Sequence, residues 1–167
     1  MASVYLTRIG YERLNAELRE LVEVRRPQVM ADLVQAREYG DIRENAEYEV
    51  AKRDQGITEG RIHELEALLA SVELVSIPAN VEVAQLGAHV LVENLETASK
   101  FTYLLVSEQE AHLVEEHLSI ESPLGKALLG ARADDVVTYA APAGTRRVKI
   151  LAVRGGDDVP VEAEEHA

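Results

Sequence analysis

The chain of 167 residues contains 30 acidic and 17 basic residues, a net charge of −13, and no cysteine. So acidic a chain argues against a protein that grips duplex nucleic acid by neutralising phosphates over its whole surface. Without cysteine there is no disulfide framework, no thiolate metal site and no cysteine nucleophile. Hydrophobic residues make up 47% of the chain, yet no apolar run approaches the length of a membrane span. We therefore expect a soluble, cytoplasmic protein with an ample core.

The first half of the chain has the apolar spacing of two long amphipathic helices. Hydrophobic residues recur at helical intervals over about residues 7–39 and again over about residues 41–75. Thr7 is a candidate N-cap of the first helix, and Pro27 lies inside it, where the missing amide predicts a kink. Gly40 separates the two runs, so we expect them to fold back on each other as an antiparallel hairpin.

Beyond residue 78 the hydrophobic period changes from that of a helix to that of a strand. Four segments rich in β-branched and aromatic residues are strand candidates, namely 88–93, 100–106, 135–139 and 147–153. Between the second and third, a short helix is predicted, with Ser122 as N-cap, Pro123 at its first position and Gly130 after its last turn. The fold class is therefore α+β, with a helical hairpin followed by a mostly antiparallel sheet that carries one short helix.

The changes in period and composition divide the chain into four parts. Residues 1–76 are assigned to the helical hairpin, residues 77–83 to a linker and residues 84–154 to the sheet domain. Residues 155–167 contain five acids and neither lysine nor arginine, so we expect an acidic, disordered tail.

Asp41 and Glu44, in the segment that joins the two helices, are the residues best suited to carry chemistry. At positions i and i+3 of a helix start, their carboxylates share one face and can reach one cation. Magnesium is commonly held by one or two carboxylates together with substrate phosphates. The same spacing also forms a capping box, in which both acids satisfy backbone amides, and spacing alone favours this structural interpretation.

Basic residues surround these acids in the sequence, namely Arg37, Arg43, Lys52 and Arg53. A tip that reads phosphate groups requires such positive charge, where the tip means residues 39–44. A helical hairpin with interspersed charges is equally typical of a solvated coiled coil. The five histidines have no metal-ligand spacing, so we expect none of them to bind a metal.

The tip also belongs to the most distinctive motif of the chain, GDIRENAEY over residues 40–48. It occurs together with RRP at 25–27, QGITEGRI at 55–62 and SPLGKALLG at 122–130. These segments resemble the bacterial GreA transcript cleavage factors, of the GreA/GreB family of transcription elongation factors. The resemblance covers nearly the whole chain and keeps the segments in the same order.

The resemblance implies an N-terminal antiparallel coiled coil and a C-terminal FKBP-like domain that docks on RNA polymerase at the rim of its secondary channel. It implies that the coiled coil enters this channel and stimulates the polymerase's own cleavage of nascent RNA in backtracked, arrested complexes, so that elongation resumes. By this resemblance the protein is no enzyme alone, and we expect a monomer. Such factors often carry a DNA-binding label, but the charge of −13 leaves only indirect contact with DNA.

The resemblance also implies roles for individual residues. Asp41 and Glu44 would help to hold a second, weakly bound Mg²⁺ shared with the polymerase active site, and would orient the attacking water. The free protein would bind no metal tightly. The residues that would contact RNA are Arg37, Arg43, Tyr48 and Lys52. Ser122, Pro123 and Leu124 match a segment implicated in polymerase docking, although ordinary helix capping and packing explain these three residues equally well.

Two alternatives remain open at the level of sequence. A binding module could occupy the channel and inhibit the polymerase, with Asp41 and Glu44 serving only as helix caps. Inhibitory relatives carry a cluster of several aspartates at the tip, which this chain lacks. A prolyl isomerase is the second alternative, because of the FKBP-like domain, but that domain has few aromatic residues to line an apolar proline pocket.

Overall fold

A computed structural model of the chain describes residues 3–38 and 42–156, and the side chains of residues 42–45 lie outside that description. Along the chain a short strand precedes the long helices, and further strands then flank one short helix. No helix in this part of the chain is long and apolar enough to cross a membrane. The predicted α+β class, a helical hairpin followed by a sheet with one short helix, is confirmed.

The described residues form two compact units. The first contains residues 11–72, and the second joins the segment 3–10 to the residues from Glu73 onward. Strand β1 (Val4–Leu6) therefore belongs to the same unit as the C-terminal half of the chain.

The first unit is a helical hairpin. Its elements are α1 (Arg8–Glu20), whose first three residues belong to the second unit, a π-helical turn (Leu21–Arg25), α2 (Arg26–Arg37) and α3 (Ile42–Ala70). Residues that come later in the first arm contact residues that come earlier in the second arm. The pairs are Arg37 with Tyr48, Arg26 with Glu59 and Glu17 with Arg61. This order confirms the antiparallel hairpin. The buried residues that form its core are Leu14, Val29, Leu33, Ala36, Ala51, Ile62 and Leu65.

Pro27 accounts for the π-helical turn in the first arm of the hairpin. The amide of Arg26 donates to the carbonyl of Leu21, five residues earlier instead of four. A proline has no amide to donate, and its ring clashes with the carbonyl four residues before it, here that of Glu23. Widening the preceding turn by one residue accommodates the ring without ending the helix. The irregularity that the sequence predicts at Pro27 thus takes the form of a π-helical turn.

The end of the second long helix differs from the prediction. Helix α3 ends at Ala70, so the helix expected to reach about Val75 is wrong over its last residues. Val72–Leu74 instead form strand β2, which pairs with β1 in a two-stranded sheet. Three-residue strands are too short to show an alternating pattern, and for this reason the sequence did not indicate either of them.

The second unit is built on a five-stranded sheet in the order β5-β4-β3-β7-β6. The strands are β3 (His89–Asn94), β4 (Lys100–Val106), β5 (His117–Ser119), β6 (Val136–Ala141) and β7 (Gly144–Arg154). Neighbouring strands are antiparallel except for β4 and β5, which run parallel. The four predicted strands are confirmed, whereas β5 was not predicted.

One face of this sheet carries the core of the second unit. Helix α4 (Pro123–Leu128) lies between β5 and β6 in the sequence and packs on that face. The buried residues of this core are Ala84, Val90, Val92, Leu105, Leu124, Leu128, Ala131, Val148 and Ile150. Gly130, after the helix, has a φ of +83°, the conformation that favours glycine at a helix end. The short helix and its terminal glycine are confirmed.

A buried carboxylate holds the start of helix α1 within the second unit. Thr7 is the N-cap, as predicted, because its hydroxyl accepts a hydrogen bond from the Gly10 amide at 3.1 Å. The Thr7 amide donates to Glu110 Oε1 at 2.9 Å, and the Thr7 hydroxyl donates to Oε2 at 2.5 Å. Glu110 is fully buried, and His117 Nδ1 lies 3.8 Å from Oε2. These partners satisfy the polar atoms that burial would otherwise leave without hydrogen bonds.

We expect Gly10→Ala and Glu110→Gln each to lower the free energy of unfolding by about 2 kcal/mol. A Cβ at residue 10 would overlap the Glu110 carboxyl group, and a glutamine would leave one donor of Thr7 without an acceptor. Urea denaturation measures both changes. Gly56→Ala is the matched control, because nothing lies near its Cβ position and alanine favours a helix by about 1 kcal/mol. Equal effects at Gly10 and Gly56 would contradict this account.

Because of the environment of His89, on β3, we expect the free energy of unfolding to fall in mild acid. Burial lowers its pKa below the ordinary 6.5, against a hydrogen bond to the Gly156 backbone that raises it, and nearby His117 adds to the lowering. The unfolded chain therefore binds a proton more readily than the folded one, and the free energy of unfolding falls as the pH drops below about 6.5. Urea denaturation between about pH 7.5 and 5.5 should show a flatter dependence for His89→Gln. Exposed His112 supplies the control, since His112→Gln should keep the wild-type slope.

Candidate functional site: the end of the helical hairpin

The predicted metal ligands fall at the connection between α2 and α3. Asp41 and the side chains of Arg43 and Glu44 lie outside the described residues. The backbone at Glu44 belongs to the first turn of α3, where the helix dipole favours a carboxylate. The roles of these three residues in metal and RNA binding therefore stay predictions.

Next to this connection, the structure brings together two of the residues predicted to contact RNA. Arg37 is the last residue of α2, and its guanidinium carbon lies 5.8 Å from the centre of the Tyr48 ring on α3. This distance is within the range of a cation–π interaction. Arg37 is exposed to solvent while Tyr48 is half-buried, so the ring lies on the protein side of the guanidinium.

Lys52 lies one helical turn beyond Tyr48, on the same face of α3. Its ammonium group is 3.4 Å from the side-chain oxygen of Gln55, whose amide nitrogen is 3.4 Å from the sulfur of Met30. Arg37, Tyr48 and Lys52 together are called the basic face of the hairpin. The structure thus places three of the four predicted RNA-contacting residues on one surface.

Three arginines further along the hairpin differ from Arg37 because they pair with acids of the opposite arm. These pairs are Arg26–Glu59 at 2.7 Å, Arg61–Glu17 at 2.7 Å and Arg25–Asp54 at 3.7 Å. Hydrogen bonds from Arg26 hold the pKa of Glu59 below its usual 4.5. Within the described part of the chain, no carboxylate pairs with Arg37 or Lys52. Unpaired positive charge on the hairpin is therefore available at the basic face.

The segment predicted to dock on the polymerase is largely committed to its own fold. The Ser122 hydroxyl accepts from the Gly125 amide at 3.0 Å and donates to the Ser119 carbonyl at 2.6 Å. Leu124 is buried in the core, whereas Pro123, at the first position of α4, is exposed. Capping and packing thus account for the side chains of Ser122 and Leu124, and the docking role of the segment stays a prediction.

Arg37 and Tyr48 were predicted separately, without a contact between them. A signal was available, because residues equally distant from the turn of an antiparallel hairpin lie opposite each other.

No such signal points to Glu110, which lies in a polar stretch and is 103 residues from its partner Thr7. Among the residues that the structure describes, no group of three or more histidines and acids is arranged to hold a metal ion.

Two family models together span nearly the whole chain. One, described as "Transcription elongation factor, N-terminal", matches residues 4–74. The other, described as "Transcription elongation factor, GreA/GreB, C-term", matches residues 79–155. The chain belongs to the GreA/GreB family of transcription elongation factors. The resemblance carried by GDIRENAEY and its companion segments is confirmed.

Individual members of the GreA/GreB family match over most of their length. Transcription elongation factor GreA of Thermotoga petrophila is 40% identical over 153 residues, covering 92% of this chain and 98% of its own. GreA of Methylococcus capsulatus is also 40% identical, covering 89% and 96%. Among solved structures, GreA factor homolog 1 of Thermus thermophilus is 33% identical over 92% of this chain and 100% of its own, with a TM-score of 0.43.

The hydrogen bonds of Ser122 predict the result of removing its hydroxyl. Ser122→Ala should lower the free energy of unfolding by about 1 kcal/mol, since the Gly125 amide loses its acceptor. Ser122→Thr should restore most of that stability, because threonine keeps the hydroxyl. Urea denaturation of the three proteins measures the difference. If the alanine variant were as stable as wild type, the cap would not contribute to folding.

Proposed function

We propose that the protein binds RNA polymerase, inserts the tip into the secondary channel and stimulates the polymerase's own cleavage of RNA in backtracked complexes. Removal of the extruded 3′ segment would allow elongation to resume. The proposal is supported above all by the 40% identity to GreA, which extends over both the hairpin and the sheet domain. It is also supported by the unpaired positive charge of the basic face beside the tip.

The tip acids would act within the active site of the polymerase. Asp41 and Glu44 offer carboxylate oxygens, the donors that Mg²⁺ prefers, and two carboxylates plus substrate phosphate form a common donor set. When bound there, the ion supplies Lewis-acid chemistry for phosphodiester hydrolysis. Two acids alone leave the ion incompletely held, so the free protein would bind Mg²⁺ weakly and cleave no RNA by itself. In the complex, the two carboxylates would also orient the attacking water.

The basic face would guide the extruded RNA. The side chains of Arg37 and Lys52 are cations without an acidic partner among the described residues, and phosphate groups are their natural counterions. Arg43, beside the tip acids in the sequence, would extend this surface. Because the whole chain carries a charge of −13, contact with nucleic acid would be confined to this face. DNA would be contacted only through the polymerase, and the protein would act as a monomer in the cytoplasm.

The sheet domain would provide the attachment to the polymerase rim. Since Ser122 and Leu124 are used within the fold, exposed Pro123 is the member of this segment available to a partner. The capping bonds of Ser122 would then act indirectly, by fixing the surface that Pro123 presents.

The decisive variant is Asp41→Asn combined with Glu44→Gln. Asparagine and glutamine replace the two acids as caps but remove the charge that Mg²⁺ requires, so stability should stay within about 1 kcal/mol of wild type. Stimulated cleavage should disappear. A backtracked elongation complex with labelled RNA and Mg²⁺ measures the release of short 3′ fragments, and thermal unfolding measures stability.

Other outcomes of this experiment would overturn the proposal in distinct ways. If wild type released no fragments but slowed nucleotide addition, the protein would be an inhibitor that occupies the channel. If the double variant still stimulated cleavage, the tip acids would be helix caps only. Release of fragments from RNA without polymerase would mean that the protein is itself a nuclease.

A further inference from the structure

Tyr48 has a different environment from that of a base-stacking residue. The guanidinium of Arg37 lies 5.8 Å from the centre of its ring, and the tyrosine is half-buried between the two arms of the hairpin. The ring face that meets Arg37 is therefore occupied within the protein. A nucleotide base could not stack on that face without displacing the arginine.

Arg37 needs such support more than a residue inside the hairpin would. It is the last residue of α2 and is exposed, so its long side chain would otherwise sample many rotamers. Arg26 and Arg61 are each held by a bidentate hydrogen bond to a carboxylate, which also neutralises their charge. An aromatic ring orients a guanidinium and leaves its charge and its N–H donors available to a phosphate.

We infer that Tyr48 is a positioning residue, whose ring holds the Arg37 guanidinium in the orientation that meets a phosphate of the extruded RNA. Tyr48 thus acts through Arg37 and not by contacting RNA itself. Lys52, one turn away on α3, has its ammonium group 3.4 Å from the side-chain oxygen of Gln55. The inference rests on the proposed function, because it assigns a role to one residue of the same basic face.

A double-mutant cycle on the cleavage rate tests this coupling. The rate of fragment release is measured in backtracked complexes at saturating protein and Mg²⁺, for Tyr48→Leu, Arg37→Ala and their combination. We expect Tyr48→Leu to slow release by about fivefold, the factor that corresponds to losing the attraction between guanidinium and ring. In the Arg37→Ala background the same change should have no further effect, because nothing remains to be positioned.

Conservative and distant variants separate positioning from folding. Tyr48→Phe keeps the ring and should retain the wild-type rate, since the hydroxyl has no part in the interaction. Tyr11→Leu is the matched control, because Tyr11 is a half-buried tyrosine of the same unit on α1, and this change should leave the rate unchanged. The concentration of Mg²⁺ that gives half the maximal rate should be the same for Tyr48→Leu and wild type, because the tip acids are untouched.

Each remaining outcome would overturn the inference. An equal loss from Tyr48→Leu with and without Arg37 would mean that the ring acts on its own, as a stacking platform or a packing residue. A wild-type rate for Tyr48→Leu or for Arg37→Ala would mean that this pair does not guide RNA. These failures would leave the proposed function standing, because that function depends on whether wild type, but not the Asp41→Asn/Glu44→Gln variant, releases fragments.

Discussion

The carboxylate of Glu110 is the constraint on which the arrangement of the N-terminal segment depends. It accepts hydrogen bonds from both the amide and the hydroxyl of Thr7, and so determines where helix α1 begins. Gly10 permits this approach because it has no Cβ. Strand β1 precedes α1 and pairs with β2, which follows α3, so the hairpin is bracketed in the sequence by two strands of one small sheet. Within the second unit, a single buried polar network thus connects residues 7–10 to the loop that carries Glu110.

Features that depend on local periodicity could be predicted from the sequence, and features that depend on distant pairing could not. The helices, the four longer strands and the Ser122 cap each have a pattern within a few residues. Strands β1, β2 and β5 have three residues each, and they exist because of partners elsewhere in the chain. The burial of Glu110 is the extreme case, because a glutamate in a polar loop is ordinarily exposed. Capping preference predicts Thr7 as a helix N-cap, but it does not indicate that Glu110 is its partner.

The candidate site was predictable to a similar degree, for a different reason. Asp41 and Glu44 occupy positions where a helix cap and a metal ligand require the same residue types, so spacing could not separate the two roles. The complete motif, not the pair, indicated the family. The contact of Arg37 with Tyr48 follows from hairpin geometry, but its meaning depends on comparison with Arg26, whose charge is neutralised by Glu59.

The interhelical ion pairs also affect the electrostatic field around the protein. Because Arg25, Arg26 and Arg61 are each matched by a carboxylate, these pairs add little to the field around the protein, and the net charge of −13 sets its sign. Bulk nucleic acid is then repelled, and the protein is not sequestered by the vast number of phosphates that would compete for a basic surface. Attraction of phosphate by Arg37 and Lys52 is therefore expected only at short range. Such a field would suit the proposed function, in which RNA is contacted only after a larger partner has presented it.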